Sequence, residues 1–329
     1  MNLFIFQQLH NQNLISDESL DKIQSHEKDK VVSLRLELKT LMYIGVLLLT
    51  TGLGIIVYEN LDSIGHLAIV VFIALSTVSC FVFCIKKAPP FTLAKNNSNN
   101  LVHDYVLLLG CALLLILVAY LQSQFGLFGN RLGMATFIPM IILFITAYYF
   151  DHLAVLSLAI VNLAAWAGIT TTPLHFLKDN DFSSSAIIFT GYTLGILLIL
   201  VAYISTAKNI KSHFQFTYKN FGTHFLFISA IAAIIHFQDA VLLWFIPLVI
   251  ITAYQFSEAI KEKSFYFFVI TTLYAYIGIS YIIVNALFRA SRDGWDSIYI
   301  VLLYFIISAI SLAVFLIKYN KQLKRNDSL

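Results

Sequence analysis

Three polar side chains stand inside otherwise apolar stretches of the chain: Asn162, Tyr192 and Tyr276. In hydrocarbon surroundings a few such groups orient a ligand, because nothing else there offers a hydrogen bond. Together they form the candidate lining of a cavity for a small or lipid-like molecule. Asn162 lies in "IVNLAAWAG", four residues before Trp166, where Ala164, Ala165 and Gly168 let a neighbouring helix come close. Its plainer reading is a hydrogen bond between helices with no ligand involved. The other interior polar groups are Thr190, Thr193, Ser229, Thr271, Thr272, Ser308 and several tyrosines. Deep Asp, Glu, Lys and Arg are nearly absent, which argues against a proton-coupled pump.

The remaining reactive residue types have plain readings. Asp151-His152 falls between two apolar stretches, and a hairpin turn capped by Asp151 is preferred to an acid–base dyad. Cys80, Cys84 and Cys111 all lie in apolar runs. Cys80 and Cys84 are one helical turn apart with no His or carboxylate beside them in the sequence, so buried thiols are expected and no metal site. His66, His175, His236, Asp179, Asp181, Asp239, Asp293 and Asp296 fall at or beyond one end of the apolar stretches. None makes a helical metal-ligand pair, and solvated loop polarity explains them. HExxH, GxSxG, a phosphate-binding glycine loop and the kinase motifs are all missing, so no enzyme and no cofactor is expected.

These residues need a membrane to hold them. The 329 residues are 59% hydrophobic and 12% charged, against about 25% charged in a soluble domain. The net charge of +3 is too small to suggest nucleic acid as a partner. The first ~40 residues carry both charge signs without an isolated apolar core, so no cleavable signal peptide is expected. A membrane-crossing helix needs about 20 apolar residues. Ten stretches qualify: 40–58, 64–85, 105–122, 133–150, 153–170, 186–205, 221–237, 240–257, 265–288 and 297–317. The expected fold is an all-α polytopic integral membrane protein with the lipid bilayer as its main partner.

Charge sets the expected orientation. With the N-terminus inside, seventeen Lys and Arg fall in inner segments, and only Arg131, Lys178, Arg289 and Arg292 fall outside. That asymmetry places both termini in the cytoplasm and the protein in the cell (inner) membrane. The Pro- and Asn-rich "APPFTLAKNNSNN" at 88–100 reads as a flexible cytoplasmic connector.

An internal repeat is expected as well. "FIPMIILFITAYYF" at 137–150 and "FIPLVIITAYQF" at 245–256 share both their beginning and their end once a two-residue difference in length is allowed. Pro139 and Pro247 lie 108 positions apart, an interval that holds four spans. Both prolines read as helix-start residues. The expected organisation is 2+4+4: a helical hairpin over 1–39, a first membrane hairpin over 40–85, a linker over 86–104, and four-helix repeats over 105–220 and 221–329. A cavity between two such repeats suits a binding or transport protein. Gly191 and Gly195 in "GYTLG" form a GxxxG pattern that favours tight helix packing.

The leader is punctuated as two short helices. Asn13 suits the left-handed residue that ends a helix. Ser16 is a helix cap, Asp17 and Glu18 fill the first turn, Ile15 can staple to Leu20, and Glu18 can pair with Lys22. An exposed hairpin of this kind motivates an alternative role, a structural or regulatory membrane protein whose leader docks a cytoplasmic protein. Leu9, Leu14, Ile15, Ser16, Glu18 and Ile23, followed by "YIGVLLLTTGLGIIVYEN" at 43–60, resemble a bacterial family of predicted membrane proteins, domain-of-unknown-function family twenty-one fifty-seven. Asn13 stands where that family usually has Gly, and "YENLD" lacks its usual Trp. The resemblance covers residues 7 to 85 and implies no activity, substrate or site residue.

Overall fold

The computed structural model describes residues 15, 16, 19, 34–59, 65–95, 101–171, 184–290 and 294–326. Ten long helices follow one another among these residues: α1 (Leu34–Glu59), α2 (His66–Lys86), α3 (Leu101–Phe125), α4 (Leu132–Phe150), α5 (Leu153–Thr171), α6 (Ser185–Ala207), α7 (Gln215–His236), α8 (Val241–Lys261), α9 (Phe265–Ala290) and α10 (Gly294–Asn326). Nine are long and apolar enough to cross a membrane, and α1 carries a shorter apolar stretch, Thr40–Ile56. The chain is an all-α, multi-pass membrane protein. Helices suit this composition because every backbone hydrogen bond closes within the element, which hydrocarbon demands.

The chain forms two compact units. One holds α1, α2 and α3 as far as Leu117, and the other holds Ala88–Ser98 and Val118–Leu329. In the first unit α2 and α3 approach closely: a Cβ on Gly110 would come 2.9 Å from the Cβ of Cys80. Cys84 is buried there against His103, whose Nε2 lies 3.2 Å from the Cys84 carbonyl oxygen. A histidine does therefore neighbour the cysteines, brought from 19 residues away by the turn between the two helices.

In the second unit the closest seam joins α6 and α7. A Cβ on Gly195 would sit 3.0 Å from the Leu226 amide nitrogen, and one on Gly222 would sit 3.0 Å from the Gly195 carbonyl oxygen. The GxxxG pattern thus brings backbone against backbone. This seam spans the 220/221 boundary between the two expected repeats.

The short joins are tight turns. Asp151 ends α4 in the left-handed conformation (φ 59°, ψ 44°). His152, not Asp151, caps α5: its Nδ1 accepts the Val155 amide at 3.2 Å. The Asp151 carboxylate is turned instead to Lys211 and His213. Pro139 and Pro247 lie inside α4 and α8 rather than at their starts, because the helices begin earlier, at Leu132 and Val241. The Ala135 and Leu243 carbonyls each lose the amide donor that a non-proline residue would supply. In the leader, the Ser16 hydroxyl accepts the Ser19 amide at 3.4 Å, as a cap does, and Ser19 Oγ lies 3.0 Å from Ser16 Oγ. Asn13, the Ile15–Leu20 staple and the Glu18–Lys22 pair fall on or involve residues outside those described.

Candidate functional site

Two buried ionic knots close one end of the second unit. The first gathers three loops. Asp151 Oδ1 lies 3.0 Å from Lys211 Nζ and 2.7 Å from His213 Nε2, and the Lys211 and Asp151 side chains are only 1% and 4% exposed. The turn Lys208–Lys211 must double back sharply between α6 and α7, and Asn209 and Lys211 both take positive φ to do so. Ser205 steadies it by donating to the Ile210 carbonyl at 2.6 Å. The segment 88–95 is held against this turn. The Lys211 amide donates to the Leu93 carbonyl at 2.9 Å, and Lys211 Nζ sits over the Phe91 ring at 5.6 Å. The first part of the Pro/Asn-rich connector is therefore a strap bound to the unit, contrary to the flexible connector expected. Phe91 and two carbonyls supply the binding groups.

The second knot centres on Lys219, in the second turn of α7 and 3% exposed. Its Nζ lies 2.6 Å from Glu262 and 3.5 Å from Glu258, at the end of α8, and 5.3 Å above the Phe267 ring of α9. The Tyr203 hydroxyl on α6 donates to Glu258 at 2.7 Å and lies 2.5 Å from the Tyr254 hydroxyl. Four helices meet at one cation. Lys261 also reaches Glu258, at 3.2 Å, but its side chain is 69% exposed. Lys219→Ala is expected to cost about 1–3 kcal/mol, because Glu262 loses the cation at 2.6 Å while Glu258 keeps Lys261 and the Tyr203 hydroxyl. Lys261→Ala should stay within about 0.5 kcal/mol, as solvent-exposed changes do. Denaturant unfolding of the two purified variants checks the contrast.

A polar layer lies one turn farther into the membrane. Gln255 donates from Nε2 to Thr223 Oγ1 at 2.8 Å, and both residues are fully buried, as is Thr271. His224 and the Tyr274 hydroxyl pair at 2.8 Å. Sequence reading missed Lys219 and Glu258 as helix residues, because it began α7 six residues too late and ended α8 four too early. It also passed over His224 and Gln255, which stand in plain view in "GTHFLF" and "TAYQF". His224 and Gln255 are thus interior polar residues beyond those singled out in the sequence, whereas Lys219 and Glu258 lie near the ends of their helices.

The three expected cavity residues occupy three different settings. Asn162 hydrogen-bonds within its own helix, to the Leu158 carbonyl at 3.4 Å. Tyr192 packs against the apolar cluster of Phe227, Ala230, Ile234 and Leu248, and its buried hydroxyl has no hydrogen-bond partner. Tyr276 lines a cleft of about 480 Å³ between α9 and α10, with Tyr304, Ile307, Ser308, Ser311, Leu312 and Phe315. Its hydroxyl meets Ser308 Oγ at 2.9 Å, and Ser280 Oγ meets the Tyr304 hydroxyl at 2.9 Å. The cleft is thus apolar-walled with hydrogen-bonding groups beside it. Among the described residues no group of three or more His, Cys, Asp or Glu is gathered for a metal. His175, Asp179, Asp181 and Asp293 lie outside those residues.

The repeat residues behave in part alike. Tyr148 and Tyr254 each meet a tyrosine of another helix, Tyr218 at 3.0 Å and Tyr203 at 2.5 Å. Thr146 donates to the Ile142 carbonyl of its own helix at 2.7 Å, whereas the buried hydroxyl of Thr252 has no partner.

Neither the curated proteins nor the solved structures contain a match to the chain. A family profile does match, over residues 7–156, which carries the likeness well beyond residue 85, through α4 and into the start of α5. Over those residues the chain is similar to the family described as "Predicted membrane protein (DUF2157)".

Proposed function

We propose that the protein binds a lipid-like molecule taken laterally from the bilayer, in the cleft between α9 and α10. The observation that carries this reading is the open groove of about 480 Å³ along α10, bounded on the α9 side by Tyr276, with the Tyr276–Ser308 and Ser280–Tyr304 pairs at hand. An acyl or prenyl chain matches the Ile307, Leu312 and Phe315 walls, and the hydroxyl pairs offer hydrogen bonds to its head. The glycine seam between α6 and α7 moves the proposed site away from the boundary between the repeats. The protein is read as a binding protein and not an enzyme.

The same reading places both termini in the cytoplasm of a cell whose inner membrane holds the protein. Two observations support that orientation. The loops at 88–95, 151–152 and 208–214 meet at one end of the unit, through Lys211. Lys219 and Glu262 bring the α8–α9 join to α7 close by. All of these segments fall on the side where charge counting puts the excess of Lys and Arg.

The test is lipid retention. Wild-type protein purified in a mild detergent is expected to carry bound lipid in native mass spectra. Ser311→Phe, which fills the cleft, is expected to remove it while leaving the thermal midpoint of unfolding unchanged. Equal retention by the two proteins would reject the cleft as the site.

A further inference from the structure

A second cavity lies on the other side of α9. It measures about 340 Å³ and is lined by Phe245, Leu248, Val249, Thr252, Ala253, Phe256, Ala275 and Ile279, from α8 and α9. Its walls are apolar apart from Thr252. Three buried polar atoms without a hydrogen-bond partner lie on these two helices: Thr252 Oγ1 in the cavity lining, and Gln255 Oε1 and Thr271 Oγ1, whose residues are not part of that lining.

Their relative heights follow from the helix register. A Cβ on Gly278 would meet the Leu248 side chain, and the Phe256 and Phe268 rings pack at 5.1 Å. Counting along the antiparallel pair between those two contacts sets Gln255 level with Thr271. Thr252 is one turn before Gln255 and Phe256, and Ala275 is one turn after Thr271. The two fully buried orphans therefore lie level with the end of the cavity nearer Lys219, outside its lining.

The orphaned hydroxyls are unusual for this protein. Thr146, Thr193, Thr206, Thr223 and Thr272 each donate to the carbonyl four residues back in their own helix, the habit of Thr in apolar helices. Thr252 and Thr271 do not. Leaving a buried donor or acceptor unmade is costly, and three such atoms beside one cavity mark a place where a polar group belongs. Gln255 Oε1 can only accept, since its Nε2 is given to Thr223. A ligand group that meets it must therefore bring a donor hydrogen. A charged head would need a counter-ion, and Thr252, Gln255 and Thr271 are all neutral.

We infer that the α8–α9 cavity binds an uncharged amphiphile bearing a hydroxyl group, with its apolar body between Phe245 and Ile279 and its hydroxyl donating to Gln255. Thr252 and Thr271 flank that hydroxyl. The site is separate from the α9–α10 cleft and does not depend on it.

The experiment uses the full chain in phosphatidylcholine nanodiscs and a long-chain fatty alcohol carrying a diazirine. After photolysis, labelled peptides are mapped with 1-dodecanol or its methyl ether as competitor. The ether keeps the oxygen but lacks the donor hydrogen. Label is expected on residues 245–256 and 275–279, with the alcohol competing at least ten-fold better than the ether. Gln255→Leu is expected to erase that preference while labelling persists. Ala275→Phe, which fills the cavity, is expected to abolish labelling there. Equal competition by the ether, or a preference that survives Gln255→Leu, overturns the inference. Label confined to residues 304–315 also overturns it, and leaves the α9–α10 cleft standing.

Discussion

Asp151→Asn is expected to destabilise the protein by about 3–5 kcal/mol, the usual result of removing one partner from a buried ion pair. The carboxylate sits between Lys211 and His213, and among the described residues Lys211 Nζ has only the Ala94 carbonyl, at 3.5 Å, as a further hydrogen-bond acceptor. Without Asp151 a lysine that is 1% exposed carries an uncompensated charge. Asparagine isolates the charge effect because it tolerates the left-handed backbone at φ 59°. Asp151→Ala adds the cost of that conformation, roughly 1–2 kcal/mol more. A double-mutant cycle sharpens the result. Asp151→Asn combined with Lys211→Met is expected to be closer to wild type than Asp151→Asn alone, since the stranded charge goes too. The expected coupling is about 0.5–3 kcal/mol, read from denaturant unfolding in a fixed micelle. Additive single effects would mean that the two groups do not act as a pair.

Gly222→Leu is expected to prevent α6 and α7 from closing. A Cβ alone at this position meets Ile199 Cγ1 at 2.8 Å, the Gly195 carbonyl oxygen at 3.0 Å and the Ile199 amide nitrogen at 3.2 Å. The isoleucine side chain can turn away, but the two backbone atoms cannot. Gly222→Ala is therefore expected to cost about 1–3 kcal/mol as an overpacking change. The leucine variant is expected to lose the monodisperse peak in size-exclusion chromatography. Gly54→Leu is the control, because a Cβ there has nothing within 4 Å. A leucine variant at 222 that eluted and melted like wild type would show the seam to be loose.

Apolar length made the helices legible in the sequence, and it fixed ten of them to within a few residues at most ends. Polarity hid their extent. Lys219 and Glu258 read as loop or boundary residues because a charge normally marks the membrane edge, yet they lie inside α7 and α8, where each is neutralised by the other's helix. Spacing within one segment cannot reveal such pairing, which depends on helices 39 positions apart. Asp151 was visible as a turn residue, but its carboxylate's true partners come from a loop 60 positions away. Tyr276 lines a cleft with its hydroxyl against Ser308, whereas Asn162 bonds within its own helix and the Tyr192 hydroxyl is buried without a partner. A polar residue in an apolar helix announces a hydrogen bond, and only the neighbouring helices decide with what.

The arrangement of the knots has a bearing on biosynthesis. Every charged group in them has been made once translation reaches Glu262. The helix α10 comes afterwards and meets α9 through Tyr319 stacked on Phe268 and through Ser308 and Tyr304. A nascent chain can therefore complete its ionic fastenings while α10 is still to be inserted. The insertion of α10 then adds one wall to a body whose ionic contacts are already in place, and the α9–α10 cleft forms only after them.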